Sequence, residues 1–371
     1  MTSTAATSLF RFATAGSVDD GKSTLVGRLL HDSKSILIDQ LEAVTRTSLE
    51  RGFGGDAGGI DLALFTDGLR AEREQGITID VAYRHFSTEH RHFIVADAPG
   101  HEQYTRNMVT GASTADCAVI LIDARLGVSR QTRRHSYLVA LLGIEHVVVA
   151  VNKMDTVDYS SERVGEIQRA YADVMARIEF SGETTCIPVS ALHGANVLER
   201  SADTPWYDGP TLMEYLEGVE VESSAIASPF RMPIQWVNRA SSDFRGFAGT
   251  IVSGALAPGD EIVAAPSGRG SRIERIVGAD GDLERAVAGQ AVTVTLTDEI
   301  DCSRGDVIAT PADPPTVSDQ LQATIVWMHE EPMLRGRSYL LRIGDKTVTA
   351  TVAPLESTAK NRAESPLSLC V

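Results

Sequence analysis

"AGSVDDGKSTLVGRLL", residues Ala15 to Leu30, follows the short apolar run "LFRFATA" and opens an amphipathic one. Gly16, Gly21, Lys22 and Ser23 fit the spacing G-x-x-x-x-G-K-[ST]. In a strand–loop–helix setting this spacing makes a phosphate cradle. Glycines let main-chain N–H groups close around phosphate oxygens, and the N-terminus of the following helix favours negative charge. Lys22 is the residue type that reaches the β- and γ-phosphates, and the Ser23 hydroxyl is a Mg²⁺ ligand. Ser17, Val18, Asp19, Asp20 and Thr24 complete the stretch expected to surround the phosphates.

Outward from the cradle, apolar runs alternate with amphipathic segments as far as Val189: "LFRFATA", "HFIVADA", "CAVILIDA", "HVVVAVN" and "TCIPVS". That alternation predicts βαβ units and an α/β P-loop domain with a mostly parallel sheet. "DVAYRHFS" and "HRHFIVADA" form a predicted antiparallel hairpin around Thr88 and Glu89, leading to Asp97. "RGFGGDAGGID", Arg51 to Asp61, reads as a mobile loop from its glycines and lack of periodicity. Beyond Phe230 short β runs with turn signals such as "APGDE" predict a small barrel to about Pro311. "PADPPTVSD" reads as a linker, and a second β module opens at Leu321.

At 371 residues two or three domains are expected. No apolar run approaches the roughly 18 residues of a membrane span, and "MTSTAATSLFRF" lacks a signal peptide's apolar segment. A cytoplasmic protein with no membrane partner is expected. Fifty acidic against 34 basic residues give a formal charge of −16, which opposes binding to nucleic acid. Cys117, Cys186, Cys302 and Cys370 are widely spaced, and the first two fall in apolar strand-like runs, the pattern of buried thiols.

Four further stretches carry chemistry. Asp97 ends an apolar strand and begins "DAPGH", placing a carboxylate for the Mg²⁺ shell and, through Ala98 and Pro99, the Gly100 amide as a γ-phosphate sensor. In "VNKMD" the Asp155 carboxylate accepts paired hydrogen bonds from N1–H and the exocyclic amine of guanine. Adenine offers no such donor pair, so the nucleotide is GTP. Asn152 braces the loop, Lys153 packs on the base plane, and Met154 completes the turn. Thr78 in "REQGITID" is placed to ligate Mg²⁺ while the γ-phosphate is present. Ser190, Ala191 and Leu192 meet the base through backbone amides, or else form an ordinary turn. His101 orients the attacking water, or is an exposed loop histidine. His85, His90 and His92 suit a solvated hairpin better than a metal site.

With "GSVDDGKST", "REQGITID", "DAPGHEQYTRNMVTGASTADCAVILIDA" and "NKMD" in order, the chain resembles the translation-factor superfamily of GTPases. Within it the chain is most similar to the family of GTP-hydrolysing large subunits of bacterial sulfate adenylyltransferase. Asp19-Asp20 point there, where elongation factors have Asp-His, as do "SSDFRGFAGTIVSGALAPGDEIVAAPSGRGSRIERIV" and "VWMHEEPMLRGRSYLLRIGDKTVTATV". The resemblance implies a G domain over 1–221, a β-barrel over 222–313 and a second, truncated barrel over 314–371. It also implies GTP and Mg²⁺ as cofactors, with Thr78 and Asp97 supporting the metal and His101 positioning water. Val18 and Ile77 match the apolar pair flanking that histidine. A separate small catalytic subunit would transfer adenylyl from ATP to sulfate. "ESTAKNRAESPLSLCV" does not match the family's closing strands. The other reading, an elongation-factor-like translational GTPase, shares the motifs and is opposed by the acid excess.

Overall fold

The computed structural model describes residues 8–36, 38–50, 60–65, 80–220, 222–241, 244–279, 281–353 and 367–370. The loop expected over Arg51 to Asp61 falls, up to residue 59, outside the described residues, as do Ile77 and Thr78. The chain divides into two compact units, Met1–Val219 and Glu220–Val371.

In the first unit, strands β1 (Ser8–Ala15), β2 (Ala82–Ser87), β3 (Arg91–Asp97), β4 (Cys117–Asp123), β5 (His146–Asn152) and β6 (Glu183–Pro188) form one sheet in the order β2-β3-β1-β4-β5-β6. The β2–β3 hairpin is antiparallel and every other pairing is parallel. Helices α1 (Lys22–Asp32), α2 (Ile38–Glu50), α3 (Thr105–Ala112), α4 (Arg130–Leu141), α5 (Ser161–Arg177) and α6 (Leu212–Gly218) belong to this unit. The sequence of β4, "CAVILID", is buried at every position, as a central strand covered on both faces requires. On the hairpin side Phe10, Phe12, Phe86 and Phe93 pack together, with Phe86 and Phe93 stacked at 4.8 Å. Helix starts follow local chemistry: Ser129 with Thr132, and Thr211 with Glu214, form reciprocal capping boxes ahead of α4 and α6.

The second unit begins with α7 (Glu222–Ala227). It continues through β7 (Arg231–Pro233), β8 (Trp236–Ser241), β9 (Phe244–Thr250), β10 (Ala255–Leu256), β11 (Glu261–Ala265) and β12 (Arg269–Gly278). Then come β13 (Gly281–Asp282), β14 (Ala286–Val287), β15 (Ala291–Leu296) and β16 (Val307–Ala309). An antiparallel sheet runs β7-β16-β11-β12-β15-β9-β8, with β13 on β12. Arg231 in β7 exchanges main-chain bonds of 2.9 Å with Ser253 and Val252, just past β9, which curls the sheet into a barrel. Met232, Phe247, Ile262, Ile276, Val294 and Ile308 fill it.

Farther on, β17 (Gln322–Ile325) pairs with β20 (Leu367–Cys370), and β18 (Ser338–Ile343) with β19 (Lys346–Thr351), as two separate antiparallel ladders. β20 is a strand that sequence reading did not place, because four residues with no periodic context carry almost no signal. No helix among the described residues is long and apolar enough to cross a membrane.

Candidate nucleotide site

β1, β3, β4 and β5 are parallel and in register, with Thr14 beside Asp97 and Asp123 beside Asn152. Their carboxyl ends therefore open on one edge, where ligands bind in such sheets. Each predicted motif except "REQGITID", of which only Asp80 lies among the described residues, lies on a loop leaving that edge.

The cradle between β1 and α1 is tightly self-bonded. Lys22 folds back across it, donating from Nζ to Ser17 O at 2.6 Å and to Gly16 O at 3.2 Å. Burial pulls its pKa down, against the pull of Asp97, Asp20 and Asp19. Asp20 is buried, its Oδ2 accepting the Ser17 N–H at 2.5 Å, and burial raises its pKa in spite of that bond. Gly21 has φ of +90°, and a Cβ on it would collide with Asn152 Nδ2. Gly100 is equally constrained, since a Cβ would meet Lys22 Nζ and lie 2.7 Å from Gly16 O. Val18 and Thr24 are partly buried at the rim.

Asp97 is 1% exposed and accepts from Thr14 Oγ1 at 2.8 Å and from Ser23 Oγ at 3.3 Å. A hydroxyl and a carboxylate thus meet at the start of α1, with Ala98, Pro99 and Gly100 buried behind them. His101 is partly exposed. Its Nδ1 accepts the Gln103 N–H at 3.3 Å, which leaves the neutral ring's proton on Nε2, and its ring lies 5.9 Å from that of Tyr104.

The base side is built on Asn152. Its Nδ2 donates to Asp20 O at 2.8 Å, and its Oδ1 accepts the Ala191 N–H at 2.9 Å, so one amide ties the cradle to the turn 190–192. Ser190 Oγ donates to Asp155 Oδ1 at 2.6 Å. Lys153, at φ of +62°, bonds Asp123 Oδ2 at 3.0 Å. Burial alone would raise the Asp123 pKa, but bonds from Arg125 and Lys153 hold it well below the carboxylate range. Met154 has no exposed surface and its N–H donates to Val189 O, so its side chain belongs to the core. The Ala191 N–H is committed to Asn152, while Leu192 is 51% exposed. His85, His90 and His92 are exposed on the hairpin.

Several residues that support the site have no motif to announce them. Ser17 Oγ meets Ser129 Oγ at 2.9 Å, and Gly16 N–H donates to His135 Nδ1 at 3.1 Å, so the first turns of α4 brace the cradle from below. His135 is fully buried, and burial, with the Lys22 and Arg134 cations, pushes its pKa from 6.5 down to about 3. The folded chain keeps this ring neutral where the unfolded chain would protonate it. Stability from this group is complete above pH 6.5 and is lost as the pH falls toward 3. His135→Gln removes that titration, so its loss of stability between about pH 7.5 and about pH 5 is expected to be smaller than wild type's by about 2 kcal/mol. Urea unfolding at the two pH values measures this, and equal losses would reject it.

Fold and cradle together define a P-loop nucleotide-binding protein. The family described as Elongation factor Tu GTP binding domain matches residues 7–222. The GTPase-like domain of S. cerevisiae Ski7, bound to GDP and inorganic phosphate, shares the fold with TM-score 0.56 and 16% identity, over 98% of this chain and 90% of that one. "Sulfate adenylyltransferase subunit 1" of Alteromonas mediterranea is 54% identical over 349 residues, which are 94% of this chain and 74% of that protein. The same-named protein of Vibrio vulnificus is 58% identical over 342 residues, 92% of this chain and 71% of that one. "Bifunctional enzyme NodQ" of a Rhizobium species is 57% identical over 349 residues, 94% of this chain and 54% of its own length. The chain belongs to the sulfate adenylyltransferase subunit 1 family.

Proposed function

We propose that this chain is the GTP-hydrolysing subunit of a cytoplasmic sulfate adenylyltransferase. A separate small catalytic subunit joins ATP and sulfate into adenosine 5′-phosphosulfate and pyrophosphate, and GTP hydrolysis here drives that unfavourable transfer. The observation that carries the reading is the joining, through Asn152, of a phosphate cradle to an Asn-Lys-x-Asp turn, in a chain at least 54% identical to two proteins named subunit 1 of that enzyme. In this reading residues 1–221 carry the nucleotide and 222–313 and 314–371 are the two β domains.

Gly16 to Thr24 hold the phosphates, with Lys22 giving up its carbonyl partners for phosphate oxygens. Asn152, Lys153 and Asp155 read guanine, and Ser190 steadies Asp155. Ser23 and Asp97 present two hard oxygen donors 3.3 Å apart, a set that fits Mg²⁺, with Thr78 as the third residue assigned to it. When bound, the ion neutralises charge on the β- and γ-phosphates. His101, with its proton on Nε2, orients the attacking water. The test is pyrophosphate release from ATP and sulfate by this chain mixed with a small subunit from the same genome, with and without GTP. Stimulation by GTP is expected. Turnover indifferent to GTP would sink the reading, and GTP-dependent retention of aminoacyl-tRNA on a filter would favour a translational GTPase instead.

A further inference from the structure

We propose that Arg28 is a positioning residue for guanine: from the helix that leaves the phosphate cradle it clamps the turn 190–192 and thereby sets the base selectivity of the site. The inference rests on the reading of Asn152, Asp155 and Ser190 as the guanine site.

Arg28 lies in the second turn of α1, its side chain 19% exposed. Nε donates to Ala191 O at 3.1 Å, and Nη2 donates to the carbonyl of Leu192. The third nitrogen, Nη1, donates to Asp32 Oδ1 at 3.4 Å, which steers the guanidinium plane. A helix-surface arginine ordinarily pairs with a carboxylate on its own helix. This one spends two donors on the main chain of a turn 163 and 164 residues away. The rigid fork of a guanidinium can fix two consecutive carbonyls at once, which the single ammonium of lysine cannot.

Peptide planarity carries that grip across the turn. A carbonyl held in place fixes the N–H on the far side of the same peptide bond. Holding Leu192 O therefore aims the His193 N–H, which donates to Ser190 Oγ at 3.3 Å. With that lone pair occupied, the Ser190 proton is directed at Asp155 Oδ1, 2.6 Å away. Holding Ala191 O keeps the turn where the Ala191 N–H meets Asn152 Oδ1 at 2.9 Å. Asn152 and Asp155 are thus both oriented by a turn that Arg28 anchors to the cradle's own helix.

The experiment measures equilibrium binding of GDP, of IDP, which lacks the exocyclic amine, and of tripolyphosphate, which probes the cradle alone. The full chain is compared with Arg28→Met, Arg28→Lys and Asp155→Asn, with folding checked by circular dichroism. Arg28→Met is expected to weaken GDP about tenfold and IDP at most about threefold, with tripolyphosphate unchanged. Arg28→Lys, which keeps one donor group, should fall between, and serves if the methionine variant does not fold. An unchanged ratio of GDP to IDP affinity, or an equal loss for all three ligands, would overturn the proposal and leave Arg28 a structural residue. If Asp155→Asn itself leaves that ratio unchanged, the guanine-site reading fails. If the ratio falls there but not in the Arg28 variants, only the present proposal fails.

Discussion

Asp155→Asn is expected to weaken GTP binding by about two to four orders of magnitude, because a half-buried carboxylate loses two charge-assisted acceptor interactions with N1–H and the exocyclic amine. The same change should favour xanthine nucleotides. Xanthine carries a carbonyl where guanine carries that amine, so an amide donor at residue 155 meets an acceptor in place of a donor. Ser190 Oγ, 2.6 Å from Asp155 Oδ1, can still donate to an amide oxygen there, so the turn should survive the substitution. Competition of GTP and XTP for the variant measures the outcome. A variant that keeps wild-type GTP preference would remove Asp155 from the base site, and with it the physical ground for choosing GTP over ATP.

Asp97→Asn should cost GTP turnover about two to three orders of magnitude and abolish GTP-stimulated pyrophosphate release, while the chain stays folded. Asp97 is buried, accepts from Thr14 and Ser23, and is the strongest counter-charge to the desolvated Lys22. Asparagine fits the same space and keeps an acceptor for Thr14. It removes the negative charge and turns an oxygen donor into an N–H₂ that repels a cation. Lys22 then has one counter-ion fewer in a buried setting, so its pKa should fall further. Single-turnover GTP hydrolysis, with nucleotide binding followed separately, distinguishes a lost chemical step from lost affinity. Unchanged hydrolysis would exclude Asp97 from the catalytic machinery.

Much of the candidate site is legible in the sequence because its motifs are local. The proposed phosphate loop is marked by glycines and a lysine at set spacing within Gly16 to Ser23, and the proposed base-reading turn by Asn152 and Asp155 within four residues. The alternation of apolar runs likewise specified a parallel sheet, since β4 and β5 must be apolar on both faces to be buried on both. The hairpin around Thr88 and Glu89 formed as its alternation predicts. Prediction weakened where signals were short: β20 was not placed, and the residues after Pro311 form two ladders whose pairing no periodicity announces.

What only the tertiary structure decided is which distant residues hold those motifs in shape. Thr14 reaches Asp97 because β1 and β3 run parallel in register. His135 and Ser129 reach Gly16 and Ser17 because α4 starts beneath the cradle. Arg28 finds the turn 190–192 because α1 and the loop after β6 meet at the same edge of the sheet. A histidine, a serine and an arginine are common residues with no spacing to mark them. The sequence by itself marked the candidate phosphate and base motifs, because each is written in contiguous main chain. The supporting contacts depend on sheet register and helix placement, which are properties of the whole folded unit.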